Sequence, residues 1–334
     1  MTYKGFGKVT KGVGGLFTVR LLDSVAKERL CGDAPMPLDG FSVFARGRGN
    51  LHRKGSLLVG DTVEVGYDDT SFTVTDGVCV PSPDGTAIAI DRILERKNAL
   101  IRPPMSNLDV LFVTLAAASP APLPETVDKL ISIAEFNRIE PVIVITKSDL
   151  DPSSAARLEE TYRKSGFDVF CTGIGMDDSL AALDLYIKNT VKNGMIAAFS
   201  GASGVGKSTL LNRLFPSLKL ETGEISRRIE RGKNTTRCVE LYPLSPDSDC
   251  PYLADTPGFT MLDFERFDFF EKEDLPTTVR EFVPLIGQCR YTKCSHTTEQ
   301  GCAIVDAVRR GEIPRSRHNS FVSLYNVLKK KTKW

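Results

Sequence analysis

The sequence predicts a multidomain chain in which a small N-terminal β-barrel is followed by a central α/β domain and a mostly helical C-terminal domain. Three observations predict this division. Five short β-rich segments occupy residues 1–100, apolar runs alternate with helical stretches over residues 101–269, and cysteines cluster with a histidine in residues 270–334. The length of 334 residues also exceeds that of one typical domain, so two or three domains are expected.

The N-terminal segments are short strands separated by glycine-rich turns, and they start at Gly7, Leu16, Phe41, Asp61 and Ala87. Five strands of this kind are typical of a barrel of the oligonucleotide-binding (OB) type. Other small β-domains share the pattern, so spacing alone leaves the type of barrel open.

The pattern changes after about residue 98. Apolar runs starting at Val110, Val142, Asp168 and Met195 alternate with helical stretches near residues 124–138, 153–164 and 178–192. Buried parallel strands joined by crossover helices have this pattern. Residues 101–269 are therefore predicted to form an α/β domain.

One glycine-rich segment matches the phosphate-loop pattern G-x-x-x-x-G-K-[ST] in full. Its residues are Gly201, Ala202, Ser203, Gly204, Val205, Gly206, Lys207 and Ser208. A predicted strand, residues 195–199, enters the loop and a predicted helix, residues 207–214, leaves it, which argues against a chance turn. Backbone N–H groups can then surround the phosphates of a nucleotide, Lys207 can reach the β- and γ-oxygens, and Ser208 can ligate Mg²⁺. Thr209, in the first turn of the helix, completes the predicted nucleotide-binding set.

Two further motifs indicate which nucleotide is bound. Thr146, Lys147, Ser148 and Asp149 follow an apolar strand, and the Asp149 carboxylate can accept hydrogen bonds from both N1–H and the 2-amino group of guanine. Adenine would leave that carboxylate unpaired and facing a lone pair, so ATP is disfavoured. Asp255 and Gly258, in the segment Asp-Thr-Pro-Gly, can hold a Mg²⁺-bound water and contact the γ-phosphate. Cys171-Thr-Gly173 is a candidate loop beside the base.

The order of these motifs is inverted. The base-reading motif precedes the phosphate loop, whereas in an ordinary small GTPase the phosphate loop comes first. The sequence therefore predicts a circularly permuted GTPase domain.

A metal site is predicted near the C-terminus, where Cys289, Cys294, His296 and Cys302 lie within fourteen residues. Three thiolates and one imidazole suit tetrahedral Zn²⁺, and four protein ligands make the site structural. The alternative is unrelated buried cysteines beside a surface histidine. His52 and His318 lack such neighbours and are expected on the surface, and the five other cysteines are expected to be small buried hydrophobes.

Charge and hydropathy indicate the kind of partner and argue against a secreted or membrane protein. The net charge is only +1, but residues 306–334 hold eight basic and two acidic residues, and residues 46–54 hold four arginines or lysines and no acid. Basic segments at both ends suggest a polyanionic partner, although solvated surface explains either segment equally well. The first residues do not resemble a signal peptide, and the longest apolar run is too short to span a bilayer. We expect a cytoplasmic monomer without a membrane partner.

With these motifs in view, the chain resembles the RsgA (YjeQ) family of small-ribosomal-subunit biogenesis GTPases over nearly its whole length. The resemblance covers the barrel, the permuted motif order, a switch segment at residues 231–236 and the Cys/His cluster. It implies GTP hydrolysis stimulated by the small ribosomal subunit, contact with ribosomal RNA and a role in late maturation of the subunit. It also implies that Thr235 or Thr236 closes on Mg²⁺ and the γ-phosphate.

Two positions depart from patterns that support hydrolysis. Phe259 stands where a Ras-like enzyme has a water-orienting glutamine, and Asn234 stands where family members commonly have a histidine. A phenyl ring cannot orient water, and Asn234 can orient it without accepting a proton. We therefore expect slow intrinsic turnover. Four arginines around the switch could neutralise charge in the transition state, or they could contact ribosomal RNA or solvent: Arg227, Arg228, Arg231 and Arg237.

Two other interpretations remain open. In the first, the chain is an RNA-binding ribosome assembly factor that uses GTP mainly as a structural ligand, which the residues at 234 and 259 favour. In the second, it is a permuted GTPase of the large subunit, although such proteins lack this barrel and zinc cluster. Turnover measured with and without small subunits separates the first interpretation from the enzyme.

Overall fold

A computed structural model describes residues 2–22, 42–48, 56–68, 72–75, 78–81, 88–216, 239–245, 250–255, 264, 267 and 269–331. The chain forms two compact units. The first comprises residues 1–109, 189–198 and 235–258, and the second comprises residues 110–188, 199–234 and 259–334.

The strands among the described residues are, in chain order, β1 (Thr2–Val13), β2 (Leu16–Leu21), β3 (Ser42–Gly47), β4 (Thr62–Asp68), β5 (Phe72–Thr75), β6 (Val78–Pro81), β7 (Ile88–Ile93), β8 (Ala99–Leu100), β9 (Met105–Ser106), β10 (Leu108–Ala116), β11 (Glu140–Thr146), β12 (Val169–Cys171), β13 (Ile196–Ser200), β14 (Glu240–Pro243) and β15 (Tyr252–Asp255). The α-helices are α1 (Pro124–Phe136), α2 (Pro152–Lys164), α3 (Asp177–Thr190), α4 (Lys207–Leu214), α5 (Ala303–Arg309) and α6 (Arg315–Lys330). Two 3₁₀ turns span Leu275–Thr278 and Arg280–Leu285.

A closed five-stranded barrel begins the first unit. Its strand order is β1-β2-β3-β7-β4, and β4 pairs back with β1. The β3–β7 pair is parallel, whereas the other pairs are antiparallel. This confirms the predicted barrel and its five strands. The short hairpin of β5 and β6 was not predicted.

The barrel interior explains why these segments form strands. Alternate residues of each strand point inward, and together they form a buried apolar cluster of Val9, Val19, Leu21, Val43, Ala45, Val63, Val65, Ile88 and Ile90. Period-2 burial of mostly β-branched side chains is the packing that stabilises a small barrel.

The first unit continues beyond the barrel through β14 and β15. Lys11 of β1 pairs with Glu240 of β14, and their side chains form an ion pair of 2.8 Å. The buried Arg20 of β2 donates to the Cys250 sulfur at 2.9 Å. Antiparallel pairing then joins β14 to β15, which is parallel to β13. Cys250 is buried, as predicted, whereas Cys171 is only half-buried. Cys31, Cys238 and the side chain of Cys79 lie outside the described residues.

Parallel strands β10, β11 and β12 form the sheet of the second unit, in the order β12-β11-β10. The side chains of β10 and β11 are almost entirely buried, which is why these strands appear in the sequence as continuous apolar runs. Helices α1, α2 and α3 lie within two residues of the predicted boundaries. Pro124 and Pro152 begin the first two helices, since proline needs no intrahelical N–H partner at that position.

The C-terminal residues pack directly on α1. A buried arginine, Arg317 of α6, donates to Asp128 of α1 at 2.5 Å and to Glu281 at 2.9 Å and 3.2 Å. Nearby, Arg280 donates to Glu135 at 2.8 Å. Residues 271–331 therefore belong to the same compact unit as the α/β layer. The zinc-binding helical domain predicted for residues 270–334 remains a prediction.

The ion cluster around Arg317 leads to a stability prediction. Arg317 is only 4 % exposed, so removing it leaves two buried carboxylates without their cation. We expect Arg317→Met to destabilise the protein by about 3–5 kcal/mol, measured by chemical denaturation. The control is Arg310→Met, which removes an exposed pair with Glu312 and should destabilise the protein far less. Equal effects of the two variants would contradict the prediction.

None of the helices among the described residues combines the length and apolar character that a bilayer span requires.

Candidate nucleotide site and metal centre

The phosphate loop connects β13 to α4 as the sequence predicts. Gly204 and Gly206 have φ of +80° and +97°, and Gly206 is the N-cap of α4. The Lys207 ammonium lies inside the loop, 2.5 Å from the Gly201 carbonyl oxygen and 3.2 Å from that of Ala202. A helix N-terminus with an adjacent ammonium is suited to bind a polyanion.

Close approach of the backbone explains the first glycine. Gly201 has φ of +151°, and a Cβ there would lie 2.1 Å from the Thr114 carbonyl oxygen at the end of β10. Any side chain at this position would displace either the loop or the strand. The glycine therefore fixes where the loop leaves the sheet.

The base-reading motif lies against this loop. The Thr146 hydroxyl is buried at the end of β11, 2.5 Å from the Val205 carbonyl oxygen and 3.2 Å from that of Leu115. A hydroxyl has only one hydrogen to donate, so the shorter contact, to Val205, is the hydrogen bond. This bond holds the base-reading motif to the phosphate loop. This contact was not predicted, and nothing in the spacing of the two motifs indicates it.

Lys147 makes a second link. Its backbone is left-handed, with φ of +54°, and its ammonium donates to the Gly204 carbonyl oxygen at 2.9 Å and to that of Ser119. The side chain therefore joins the phosphate loop to the segment between β10 and α1. The two motifs are separated by more than fifty residues in sequence but share one end of the fold.

Asp149 lies beside a third segment, residues 173–177, which we call the base loop. The Asp149 carboxylate accepts from the Ile174 N–H at 3.1 Å. A Cβ on Gly173 would lie 2.3 Å from the same oxygen, so a side chain there would displace the carboxylate or the loop. Just before the loop, Thr172 accepts from the Ser148 N–H at 3.0 Å. The candidate segment 171–173 thus lies against the base-reading motif.

The remaining predicted catalytic residues are only partly described. The backbone of Asp255 ends β15, but its side chain lies outside the described part of the chain. Asn234, Thr235, Thr236 and Gly258 lie outside it as well, and so does Phe259.

The four predicted metal ligands come together in the C-terminal part of the second unit. The sulfur atoms of Cys289 and Cys302 are 3.7 Å apart, and each lies 3.5 Å from Nδ1 of His296. With Cys294, all four ligand atoms lie within 4.8 Å of one another. This group could hold a metal ion.

Burial shapes the acid–base properties of these ligands. It raises the pKa of the Cys294 thiol to about 12, also raises the pKa of Cys302, and lowers that of His296. The protein alone therefore favours neutral thiols and a neutral imidazole. A bound dication would supply the positive charge that stabilises thiolates at this site.

An acidic residue between the ligands holds their loop in place. Burial tends to raise the pKa of Glu299, but hydrogen bonds from Ser295 and from backbone N–H groups keep it at about 2. The carboxylate accepts from the N–H groups of Ser295, Thr297 and Thr298 at 2.8 Å, 3.0 Å and 3.1 Å. Glu299 was not predicted from the sequence, although an acid midway between His296 and Cys302 was a possible signal.

His318 does not lie on the surface. It is 8 % exposed, and its Nε2 lies 2.8 Å from the His296 carbonyl oxygen. The prediction that His318 lies on the surface was wrong because it considered only sequence neighbours. In the structure, α6 brings the His318 ring against the Cys/His cluster. His52 lies outside the described residues.

The basic C-terminal segment is less exposed than its composition suggests. Arg317 is buried, whereas Arg309 and Arg310 pair with Asp306 and Glu312 at 2.7 Å. Arg48, in the N-terminal basic segment, pairs with Asp91 at 2.6 Å. Part of the predicted positive surface is thus neutralised within the protein.

Comparison with protein families gives a match to the model of the RsgA GTPase over residues 93–265. The small ribosomal subunit biogenesis GTPase RsgA of Alkaliphilus metalliredigens is 34 % identical over 330 residues, which are 98 % of this chain and 99 % of that protein. The protein of the same name from Ruminiclostridium cellulolyticum is 35 % identical over 97 % of this chain and 93 % of its own length.

Two solved structures are similar to this fold. YloQ, described as a circularly permuted GTPase, has a TM-score of 0.71 and 28 % identity, covering 99 % of this chain and 97 % of that one. YjeQ from Thermotoga maritima has a TM-score of 0.73 and 28 % identity, covering 99 % and 100 %. With the inverted motif order and the family match, these similarities show that the chain belongs to the RsgA family of circularly permuted GTPases.

Proposed function

We propose that this chain binds GTP between its base-reading motif and its phosphate loop and hydrolyses it to GDP and phosphate when it is bound to the small ribosomal subunit. The observation that carries the proposal is the bond of 2.5 Å between the Thr146 hydroxyl and the Val205 carbonyl oxygen. It joins the two motifs that recognise opposite ends of the nucleotide. The names of the relatives support the partner.

Each predicted residue has a role in this proposal. Asp149 recognises guanine, while the phosphate-loop N–H groups and Lys207 hold the phosphates. Mg²⁺ accompanies GTP and is ligated by Ser208, with Asp255 holding one of its waters. Thr235 or Thr236 and Gly258 contact the γ-phosphate, and Asn234 orients the attacking water. Since neither Asn234 nor Phe259 can remove a proton, turnover should be slow until the subunit is bound.

We also propose that residues 1–100 bind ribosomal RNA, residues 101–269 form the GTPase domain and residues 270–334 form a metal-binding domain. Two exposed phenylalanines of the barrel support RNA binding, since Phe6 and Phe44 are 48 % and 59 % exposed. Aromatic rings on an OB barrel can stack with unpaired bases. We also propose that the chain acts as a monomer in the cytoplasm.

The metal that we propose for the Cys/His cluster is one structural Zn²⁺. A tetrahedral ion with bonds of about 2.3 Å to sulfur and about 2.05 Å to nitrogen separates two sulfurs by about 3.8 Å and sulfur from nitrogen by about 3.6 Å. The distances of 3.7 Å and 3.5 Å in this cluster fit those values. Protein purified without chelator should contain one zinc per chain.

The affinity for zinc should depend steeply on pH. The raised pKa values of Cys294 and Cys302 keep both thiols protonated near neutrality, so binding must release at least two protons. The lowered pKa of His296 means that its imidazole is already neutral. Affinity should therefore rise by about a hundredfold per pH unit between pH 6 and 8, as measured by competition with a chelator of known pH dependence. An affinity that does not change with pH would contradict this site.

The function is tested by measuring GTP hydrolysis with purified small subunits, with large subunits and with neither. We expect a rate increase with small subunits alone. Stimulation by large subunits instead would overturn the partner that we propose.

The second candidate function is RNA-dependent assembly with GTP as a structural ligand, which Asn234 and Phe259 favour. In that case small subunits would bind more tightly in the presence of GTP, but the rate of hydrolysis would not increase.

A further inference from the structure

Arg213 connects two parts of the nucleotide site that are far apart in sequence. It lies in the last turn of α4, the helix that begins at the phosphate loop. Its guanidinium donates to the Gly173 carbonyl oxygen at 3.1 Å and to the Asp177 carboxylate at 2.7 Å. These residues are the first and last of the base loop, so one side chain holds both of its ends.

The base loop in turn positions the Asp149 carboxylate. The N–H of Ile174 donates to Asp149 Oδ1, and Gly173 lies so close that a Cβ would be 2.3 Å from that atom. A small movement of the loop therefore moves or releases the oxygen. The position of the Asp149 carboxylate therefore depends on the position of the base loop.

Within the base loop, the Met176 N–H lies 3.4 Å from the Gly173 carbonyl oxygen, and the Leu180 N–H of α3 donates to the Met176 carbonyl oxygen at 3.1 Å. Gly175 has φ of +75°, and the Ile174 side chain is 84 % exposed, so neither provides packing against the fold. On the inner side Thr172 donates from its N–H to the Ile145 carbonyl oxygen at 2.7 Å. The two hydrogen bonds from the Arg213 guanidinium are charge-assisted and therefore stronger than these backbone bonds.

We propose that Arg213 is a positioning residue for guanine recognition, acting through Gly173 and Ile174 to hold the Asp149 carboxylate in place. The proposal rests on the guanine site proposed above. Because Asp177 is 84 % exposed, its ion pair adds little to global stability, so a change in affinity would not reflect unfolding.

The test compares GDP with IDP, which lacks the 2-amino group and so loses one of the two donors to Asp149. The affinity ratio of GDP to IDP thus reports on the placement of the carboxylate. For the full-length Arg213→Met variant we expect GDP affinity to fall by about three- to tenfold and IDP affinity to fall less. Arg213→Lys keeps the charge without the fork and should give an intermediate ratio. Calorimetry with both nucleotides measures these values.

The control is Arg309→Met, which removes another exposed arginine paired with a carboxylate and should leave the ratio unchanged. Asp177→Asn weakens one of the two contacts of Arg213 at an exposed position. It is the variant to measure if Arg213→Met does not fold. A wild-type ratio in the Arg213 or Asp177 variant, or an equal loss of both nucleotides, would overturn the role of Arg213. Equal binding of GDP and IDP by the unmodified chain would instead overturn the guanine site itself.

Discussion

Lys207→Ala should abolish measurable GTP turnover, even in the presence of small ribosomal subunits. The ammonium lies inside the phosphate loop, where it can neutralise charge that develops on the β- and γ-oxygens during hydrolysis. Loss of one such electrostatic contact costs about a hundred- to thousandfold in rate, and the unstimulated rate is already expected to be slow. The measurement is phosphate release under saturating GTP.

The matched control for this variant is Lys188→Ala. Lys188 is an exposed lysine of α3 that pairs with Asp184 at 2.6 Å within the same helix. Its removal should leave turnover unchanged, and both variants should melt near the temperature of the unmodified protein. Substantial activity in Lys207→Ala would contradict the assignment of the phosphate loop.

Asp149→Asn should change the preferred nucleotide from GTP to xanthosine triphosphate. The carboxylate accepts from N1–H and the 2-amino group of guanine, whereas an asparagine offers one acceptor and one donor. Xanthine has a carbonyl at position 2, so the amide donor is satisfied there and the amide oxygen still accepts from N1–H. That oxygen can also keep the bond from the Ile174 N–H. We expect GTP affinity to fall by about a hundredfold or more.

Asp151→Asn is the control, since it makes the same chemical change two residues further on. Asp151 is the N-cap of α2 and accepts from the Ser154 N–H at 2.9 Å, a role that asparagine performs equally well. Its GTP affinity should not change. Unchanged GTP affinity in Asp149→Asn would remove that residue from base recognition.

Much of the fold follows from local patterns. The barrel strands alternate, the buried parallel strands are continuous apolar runs, and helix α4 spans residues 207–214 as predicted. The Cys/His cluster was also predictable, because three thiols and an imidazole within fourteen residues form a spacing typical of a metal-binding loop. In each case the signal lies within one element or one short segment.

The parts that sequence did not reveal depend on contacts between distant segments. The bond from Thr146 to the phosphate loop joins residues 59 positions apart, and the fork of Arg213 spans up to 40. Neither contact changes composition or periodicity, so no local pattern marks it. The close approach of Gly173 to the Asp149 carboxylate was not predictable either, because Asp149 lies 24 residues earlier in the chain.

Two errors about polar residues share one cause. His318 was expected on the surface, and Arg317 was counted as part of a basic segment, yet both are buried in α6. Each satisfies its polar atoms with partners far away in sequence, namely the His296 carbonyl and the carboxylates of Asp128 and Glu281. Burial of a polar side chain depends on such partners, which composition does not show.

The inverted motif order does not disturb the site, because the position of a loop depends on the strand that carries it. Thr146 ends β11 and Gly201 follows β13, and their loops are in contact whichever strand comes first in the chain. Loops at the carboxyl ends of parallel strands form the usual ligand site of such sheets. The permutation therefore changes chain order and leaves the proposed pocket intact.

Calorimetric binding of GDP and of ADP to the full chain tests most directly whether this pocket reads guanine. With Asp149 held as the structure places it, GDP should bind at least about a hundredfold more tightly than ADP. If the two nucleotides bound equally well, the carboxylate would have no part in choosing the base and the proposed pocket would be wrong.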